Sequence, residues 1–503
     1  MSQNLSSPCK LRVAVIGGGI SGLATAAFLR KCPQYSITVY ERRAADFKET
    51  SATFGLRGSG ISIVKQLGIT KQEINGIVGA GYRIYNTREE LMSKAQLGNG
   101  PDGDGDLWFV FRQDLKDALL RRATSEEGKG KPIQVIYGSH IVRVDPEAGR
   151  IHFTDRASVD VDLIIGADGI HSKVRTAMIP PSHPQPAPCG LSVYRFMIPM
   201  EVFKESMAAE GRMPDMFNYE EGYFIAIVAA GDEGNRNVVM LPCRGHRFMS
   251  VACAVPDSIL KNPARLEYSW NAKGSVEELV DNVRGFPEWL GRLYGRMSQV
   301  ELFQVRDQEP LPSYVNGRAV LIGDAAHPMV PYQGQGANQC LEDVEGLHTI
   351  LENLSNGDLI PDQLRVWDSI RRPRASAVQQ SARVSQSKIS TKEATQALLA
   401  VKPYVRMKDA LAARGATQAV ENPHSTLAGR GYSYSEIWSV VANTQSTSFK
   451  ELEGTLRDRA IDAISQAMRM TFVLVPVART VMFVAAMLMK WEKPSGYGVA
   501  VGG

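Results

Sequence analysis

The sequence predicts an α/β fold, α+β overall, in which a parallel-sheet domain is interrupted by an inserted antiparallel sheet and followed by a helical C-terminal region. Three observations predict it. An apolar run from Leu11 to Ile16 passes through glycines into a helix-spaced segment and then into the β-branched run Ser36 to Tyr40. Between roughly 180 and 311 the pattern changes to short alternating runs, as in a sheet with one solvated face. From about Pro361 the pattern is helical to near the end of the chain.

Each element has a local reason. Leu23, Ala24, Ala27 and Phe28 recur at helical spacing after the glycines, so Ile20 to Lys31 is a crossover helix joining two parallel strands. Ser93 to Asp106, with its NGPDGDGD core, has the composition of a solvated loop. A helix begins at Gln113 and runs to Ala123, and Ile133 to Tyr137 and Asp160 to Ile165 are further strands of the first domain. Tyr223 to Ala229, Asn237 to Leu241 and Phe248 to Val255 alternate and belong to the inserted sheet. Ala319 to Gly323 returns to a buried-strand pattern, and the next helix carries Leu341, Val344 and Leu347 on one face. The first domain is therefore discontinuous, 9–179 with 315–358, around an insert at 180–314, and 359–503 forms the helical region.

A chain of 503 residues exceeds a single ordinary core, so two or three packed units are expected. With 44% hydrophobic and 22% charged residues it is globular, and a net charge of only +4, scattered, argues against a nucleic-acid partner. The six cysteines show no C-x-x-C and no dense framework, which argues against disulfides and zinc. The polar N-terminus lacks a secretory apolar core, so a cytoplasmic location is expected.

Chemistry concentrates in three motifs. Gly17-Gly18-Gly19-Ile20-Ser21-Gly22 supplies G-x-G-x-x-G between strand and helix, where Gly17, Gly19 and Gly22 let backbone amides approach a pyrophosphate. Glu41 ends the second strand, 19 residues after Gly22, where a carboxylate binds an adenosine ribose hydroxyl. This motif alone does not separate NAD from FAD. Leu163-Ile164-Ile165-Gly166-Ala167-Asp168-Gly169 ends a strand in an Asp-Gly turn, followed by Val174 and Arg175. Val320-Leu321-Ile322-Gly323-Asp324-Ala325-Ala326-His327-Pro328 delivers an acid from a buried strand, and Gly334-Gln335-Gly336-Ala337 opens a helix.

On these three motifs, in this order over residues 11–385, the sequence resembles the group A flavoprotein monooxygenases, the family of para-hydroxybenzoate and salicylate hydroxylases, and especially its fungal members. The resemblance implies a Rossmann-like FAD domain. It implies that Gly17, Gly19, Gly22 and Glu41 hold the ADP half of FAD, that Asp324 binds the ribityl and pyrophosphate groups, and that Arg112 lies on the FAD side. The resemblance also places Asp168 near both FAD and NAD(P)H, and Gly55 permits close backbone approach to the cofactor. The amides of Gly336 and Ala337, at a helix start, suit the edge of the flavin ring that gains negative charge on reduction.

The chemistry implied is single-component: NADPH or NADH reduces FAD, O2 adds at flavin C4a, and the hydroperoxide transfers oxygen to an electron-rich carbon of a small-molecule substrate. No metal is required. Arg195, in Leu191-Ser192-Val193-Tyr194-Arg195-Phe196, matches the family position from which a strand arginine orients a phenolate or carboxylate, and it is the catalytic candidate. His327 is expected to be structural. Two departures count against simple phenol hydroxylation: Leu241-Pro242 stands where relatives have Tyr-Pro, and Arg57-Gly58-Ser59-Gly60 replaces a usual Pro-Asn.

The expected function is thus hydroxylation of an aromatic or polyketide-type molecule in secondary metabolism. The alternatives are epoxidation of a terpenoid or polyene alkene, an NAD-dependent dehydrogenase, and a non-catalytic FAD-binding protein. The apolar segment 470–489 is about long enough to span a bilayer but carries Pro476 and Arg479 at its middle, so it reads either as a membrane attachment or as two short packed helices.

Overall fold

A computed structural model describes residues 10–48, 52–97, 106–261, 271–354, 356–387, 404–412 and 414. The chain divides into residues 1–404 and 405–503. In the second unit residues 407–412 are helical, with the amides of Asp409 and Ala410 donating to the Arg406 oxygen. Everything below concerns the first unit.

A six-stranded sheet runs Val315–Asn316, Ala319–Leu321, Leu163–Gly166, Leu11–Ile16, Tyr35–Tyr40, Gln134–Ile136, all parallel except the first. Val13 lies opposite both Leu163 and Ile37, which sets the central register. Strands drawn from three separated stretches therefore make one sheet, so this sheet is discontinuous in sequence. The helix Ile20–Leu29 is buried at every position because it is enclosed by the sheet and by the helices Arg112–Thr124 and Gly336–Leu351. Its alanines keep those approaches close.

The second sheet is larger than the sequence suggests. Its order is Asn271–Lys273, Glu301–Asp307, Ala187–Pro199, Phe248–Pro256, Asn237–Cys243, Tyr223–Ala229, Ile77–Tyr85, Leu107–Phe111, Thr53–Arg57, and Leu91–Gln96 pairs with Ile77–Tyr85. Four of its strands come from residues 53–111, outside the expected insert. Ile77–Tyr85 joins alongside Tyr223–Ala229 in parallel, a pairing between distant segments that leaves no local trace. Leu91–Gln96 also corrects the reading of Ser93 to Asp106 as a loop: Ser93 to Gln96 are paired strand, and 98–105 lie outside the described residues. Val159–Asp160 belongs to a separate three-stranded sheet with Ile141–Asp145 and Arg150–Phe153, so only Leu163 onward enters the six-stranded sheet.

Side chains alternate across the strands, and this decides what each face does. Tyr194, Phe196 and Ile198, with Ala226, Val228, Val238, Met240, Val251 and Cys253, pack against Phe203, Leu279, Trp289 and Tyr294 in one core. The ring of Phe196 meets Tyr294 edge-on at 5.0 Å. The intervening residues Val193, Arg195, Ile225, Ile227, Val239, Leu241, Ala252 and Ala254 line a cavity on the opposite face.

The helix Ile360–Ser387 packs on Gly336–Leu351. Among the described residues no helix is long and apolar enough to cross a membrane, and the segment 470–489 lies outside them.

Candidate active site

Two cavities of about 960 and 480 Å³ occupy the ground between the sheets. Both are lined by Gly19, Arg112, Arg195, Asp324, Met329 and Pro331, so they meet at these residues. Gly17, Glu41 and Asp168 line the larger cavity, while Gly55, Gly336 and Ala337 line the smaller. Of the candidate cofactor and catalytic residues named from the sequence, Gly22 is the one that lines neither. It acts by packing: a Cβ there would stand 1.9 Å from the Gly17 oxygen.

The glycine turn is held from two directions. Gly17 has φ +106°, and a Cβ on it would lie 2.3 Å from the Ala167 oxygen, so the first and second motifs touch through bare backbone. The Gly17 amide donates to the Tyr40 oxygen at 2.8 Å. Glu41 accepts from the Gly18 amide at 2.6 Å and the Arg43 amide at 2.7 Å. Each carboxylate oxygen retains a lone pair for a ribose hydroxyl, so Glu41 both shapes the turn and faces the cavity.

Asp168 accepts from the Ser172 hydroxyl and from the amides of Lys173 (2.7 Å) and Val174 (3.3 Å), capping the helix Lys173–Met178. Loss of hydration pushes its carboxyl above the ordinary range, against those hydrogen bonds. The buried Arg175 reaches across to the third motif, donating to the main-chain oxygens of Asp324 (3.2 Å) and Ala325 (2.9 Å) and to that of Ile170. Burial pulls its guanidinium down to about 10, with Asp168 and Asp324 supporting the charge. Sequence read Arg175 as one of the polar groups beside the cofactor; its tie to the third motif, to partners 149 and 150 residues away, left no local signal.

Asp324 itself is exposed within a short turn, Gly323–Ala325, whose other members are buried, so one carboxylate is delivered to the join of the cavities. The turn is anchored by Asp343. This buried carboxylate accepts from the Gly323 amide (2.9 Å), bonds His327 Nε2 (2.6 Å), and accepts from Arg371 Nη2 (2.8 Å) and Nε (3.0 Å). His327 and Arg371 hold its pKa below the ordinary range although burial opposes them. His327 is fully buried and engaged in this support, in keeping with a structural part.

At the helix start no acceptor among the described residues takes the amides of Gly336 and Ala337, and its first turn holds no acid. Asn338, one residue on, ties the neighbourhood together: its Nδ2 donates to the oxygens of Gly55 (3.0 Å) and Gly334 (3.1 Å), and its Oδ1 accepts the Arg57 amide (2.8 Å). Arg112 begins the helix Arg112–Thr124 and lines both cavities. Arg195 lies opposite Glu301 in the sheet, its guanidinium 4.8 Å from the centre of the Phe303 ring, at the join of the cavities.

These residues fit a dinucleotide with a flat ring. The larger cavity has amides and Glu41 at the glycine turn and a cationic border that includes Arg42, Arg43 and Lys173, suited to a ribose and pyrophosphate. The orphan helix amides open into the smaller, predominantly apolar cavity. Among the described residues no cluster of His, Cys, Asp or Glu is arranged to hold a metal ion.

Comparison with known proteins supports FAD as the cofactor. A family profile described as FAD dependent oxidoreductase matches residues 12–167, and one described as FAD binding domain matches 268–382. The chain is 30% identical to 3-amino-4-hydroxybenzoate 2-monooxygenase of Streptomyces cremeus, over 74% of this chain and 86% of that one. It is 29% identical to a salicylate hydroxylase of Pseudomonas putida, over 74% and 84%. It is 26% identical to the FAD-dependent monooxygenase cfoG of Aspergillus candidus, over 74% and 85%. A salicylate hydroxylase solved with its substrate superposes with a TM-score of 0.63 at 24% identity, covering 78% of this chain and 94% of that one, a likeness of fold.

Proposed function

The chain belongs to the group A FAD-dependent monooxygenases, and from that premise we propose that it uses NAD(P)H and O2 to hydroxylate an aromatic or polyketide-type small molecule in secondary metabolite biosynthesis. The observation that carries the reading is the predominantly apolar cavity that joins the dinucleotide cavity at Arg112, Arg195 and Asp324. The relatives named for salicylate and for 3-amino-4-hydroxybenzoate support an aromatic substrate.

FAD, when bound, supplies the reactive oxygen from O2 after reduction by NAD(P)H. The chain's own residues do the rest. Gly17, Gly19 and Glu41 hold the adenosine diphosphate half, and Arg112, Asp168 and Asp324 hold the middle. The amides of Gly336 and Ala337 are donors for the ring's anionic edge, where fixed dipoles stabilise charge without reorganising. Val193, Ile225, Val239 and Leu241 exclude water from the reacting carbon. Arg195, at the join, orients an electron-rich, acidic substrate through its planar charged fork.

Epoxidation of an alkene is the second reading, favoured by Leu241 and the aliphatic wall around it. The purified protein is expected to show a flavin spectrum and to oxidise NADPH faster with hydroxylated aromatics, giving a product one oxygen heavier. A colourless protein that takes up no FAD overturns the reading, and acceleration by alkenes alone selects the second. We further propose that the enzyme acts in the cytoplasm, with 470–489 as the segment on which any membrane attachment depends.

A further inference from the structure

Among the described residues, three arginines line the smaller cavity, Arg57, Arg112 and Arg195, and the only carboxylate lining it is that of Asp324. Arg112 and Arg195 also border the larger cavity and have partners within the protein. Arg57 borders the smaller cavity alone. Its side chain is half-buried and has no hydrogen bond or ion pair among the described residues. Burial lowers its pKa from the ordinary guanidinium range, with the nearby Tyr82 opposing the shift. A charged group withdrawn from water with no anion beside it is costly unless an anion arrives with a ligand.

The surroundings place such a ligand at the reaction site. The backbone of Arg57 is tied through Asn338 to the first turn of the helix whose Gly336 and Ala337 amides open into the same cavity. Tyr82, also lining that cavity and 7% exposed, comes from the strand Ile77–Tyr85. A tyrosine from a different strand therefore lines the same cavity as Leu241.

We propose that Arg57, with Tyr82 beside it, is the specificity-determining group of this cavity and binds an ionised acidic oxygen of the substrate, a carboxylate or an acidic enol or phenol. The inference rests on the monooxygenase reading above. It assigns Arg57 to substrate selection within the smaller cavity, beside Arg195, which orients the substrate from the join of the two cavities. Arg suits the task because its charge persists and its two-armed donation matches a carboxylate or a vinylogous acid.

The test uses the full-length FAD-loaded protein and pairs of hydroxylated aromatic acids with their methyl esters. Binding is read as the perturbation of flavin absorbance, and turnover as acid-stimulated NADPH oxidation. Wild-type protein is expected to prefer the acid. Arg57→Gln is expected to raise the Kd of the acid by roughly ten- to a hundredfold and to change that of the ester by less than about twofold. Arg57→Lys is expected to recover part of the loss, and Tyr82→Phe to show a smaller loss in the same direction. FAD content reports folding in each case; should Arg57→Gln lose its flavin, Arg57→Lys and the acid-to-ester ratio of the wild type still decide. A wild type indifferent to esterification, or an Arg57→Gln variant with an unchanged acid-to-ester ratio, overturns the proposal. A wild type that carries no FAD overturns the monooxygenase reading instead.

Discussion

The guanidinium of Arg175 donates to the main-chain oxygen of Asp324 at 3.2 Å, joining the Asp-Gly turn to the turn that presents the Asp324 carboxylate. With the bonds to Ala325 and Ile170 it fixes two cavity-lining loops to each other. Replacing it by methionine leaves three carbonyl oxygens without their donor in a buried place. Arg175→Met is therefore expected to lose about 2–4 kcal/mol of stability and most of its bound FAD. Arg175→Lys, with charge but no fork, is expected to fall between. Visible flavin absorbance per protein, measured with thermal unfolding, checks both.

Gly17→Ala should be harsher for its size. The residue stands at φ +106° with the Ala167 oxygen 2.3 Å from where the methyl would go. Neither the backbone nor the neighbouring strand end can yield without moving the glycine turn. The expected product is a folded apoprotein or an insoluble chain, and wild-type FAD content after purification would contradict this account.

Asp343→Asn removes the anionic centre of a buried network that includes His327 and Arg371. Breaking such a pair is expected to cost about 3–5 kcal/mol. Its pH dependence has a definite sign. The folded carboxyl titrates below its unfolded value, so its contribution is fully present above the unfolded value of about 4 and is lost as pH falls through the lower folded value. Chemical denaturation should show a wild-type advantage over Asp343→Asn that is flat from roughly pH 5 to 7 and narrows on further acidification.

Arg195→Met tests the join of the cavities. If the side chain orients substrate, kcat/KM for stimulated NADPH oxidation is expected to fall by about tenfold to a hundredfold while FAD content stays at the wild-type level. Because Arg195 lies over Phe303, Arg195→Lys should not restore it fully. Unchanged kinetics would assign the residue to the sheet alone.

Much of the cofactor side was legible in the sequence because backbone geometry there dictates residue type. Only glycine tolerates the conformation at Gly17 and the close contacts at Gly17 and Gly22, and Glu41 sits where the second strand must end beside that turn. The buried strands Leu11–Ile16, Leu163–Gly166 and Ala319–Leu321 announced themselves as apolar runs, and Arg195 was named through its motif, while its face, opposite the core that holds Tyr194 and Phe196, came from the strand's alternation in the structure. These are local patterns with local causes.

Tertiary structure alone decided the rest. The second sheet recruits strands from residues 53–111, which brings Arg57 and Tyr82 to one cavity with Leu241, and no spacing within any one segment encodes that neighbourhood. The same holds for Arg175 against Asp324 and for His327 and Arg371 against Asp343. A side chain's charge and reach are properties of the residue, and the sequence states them. Whether that charge is solvated, paired or left facing a ligand depends on which distant strands pack around it, and that is settled when the sheets close on each other.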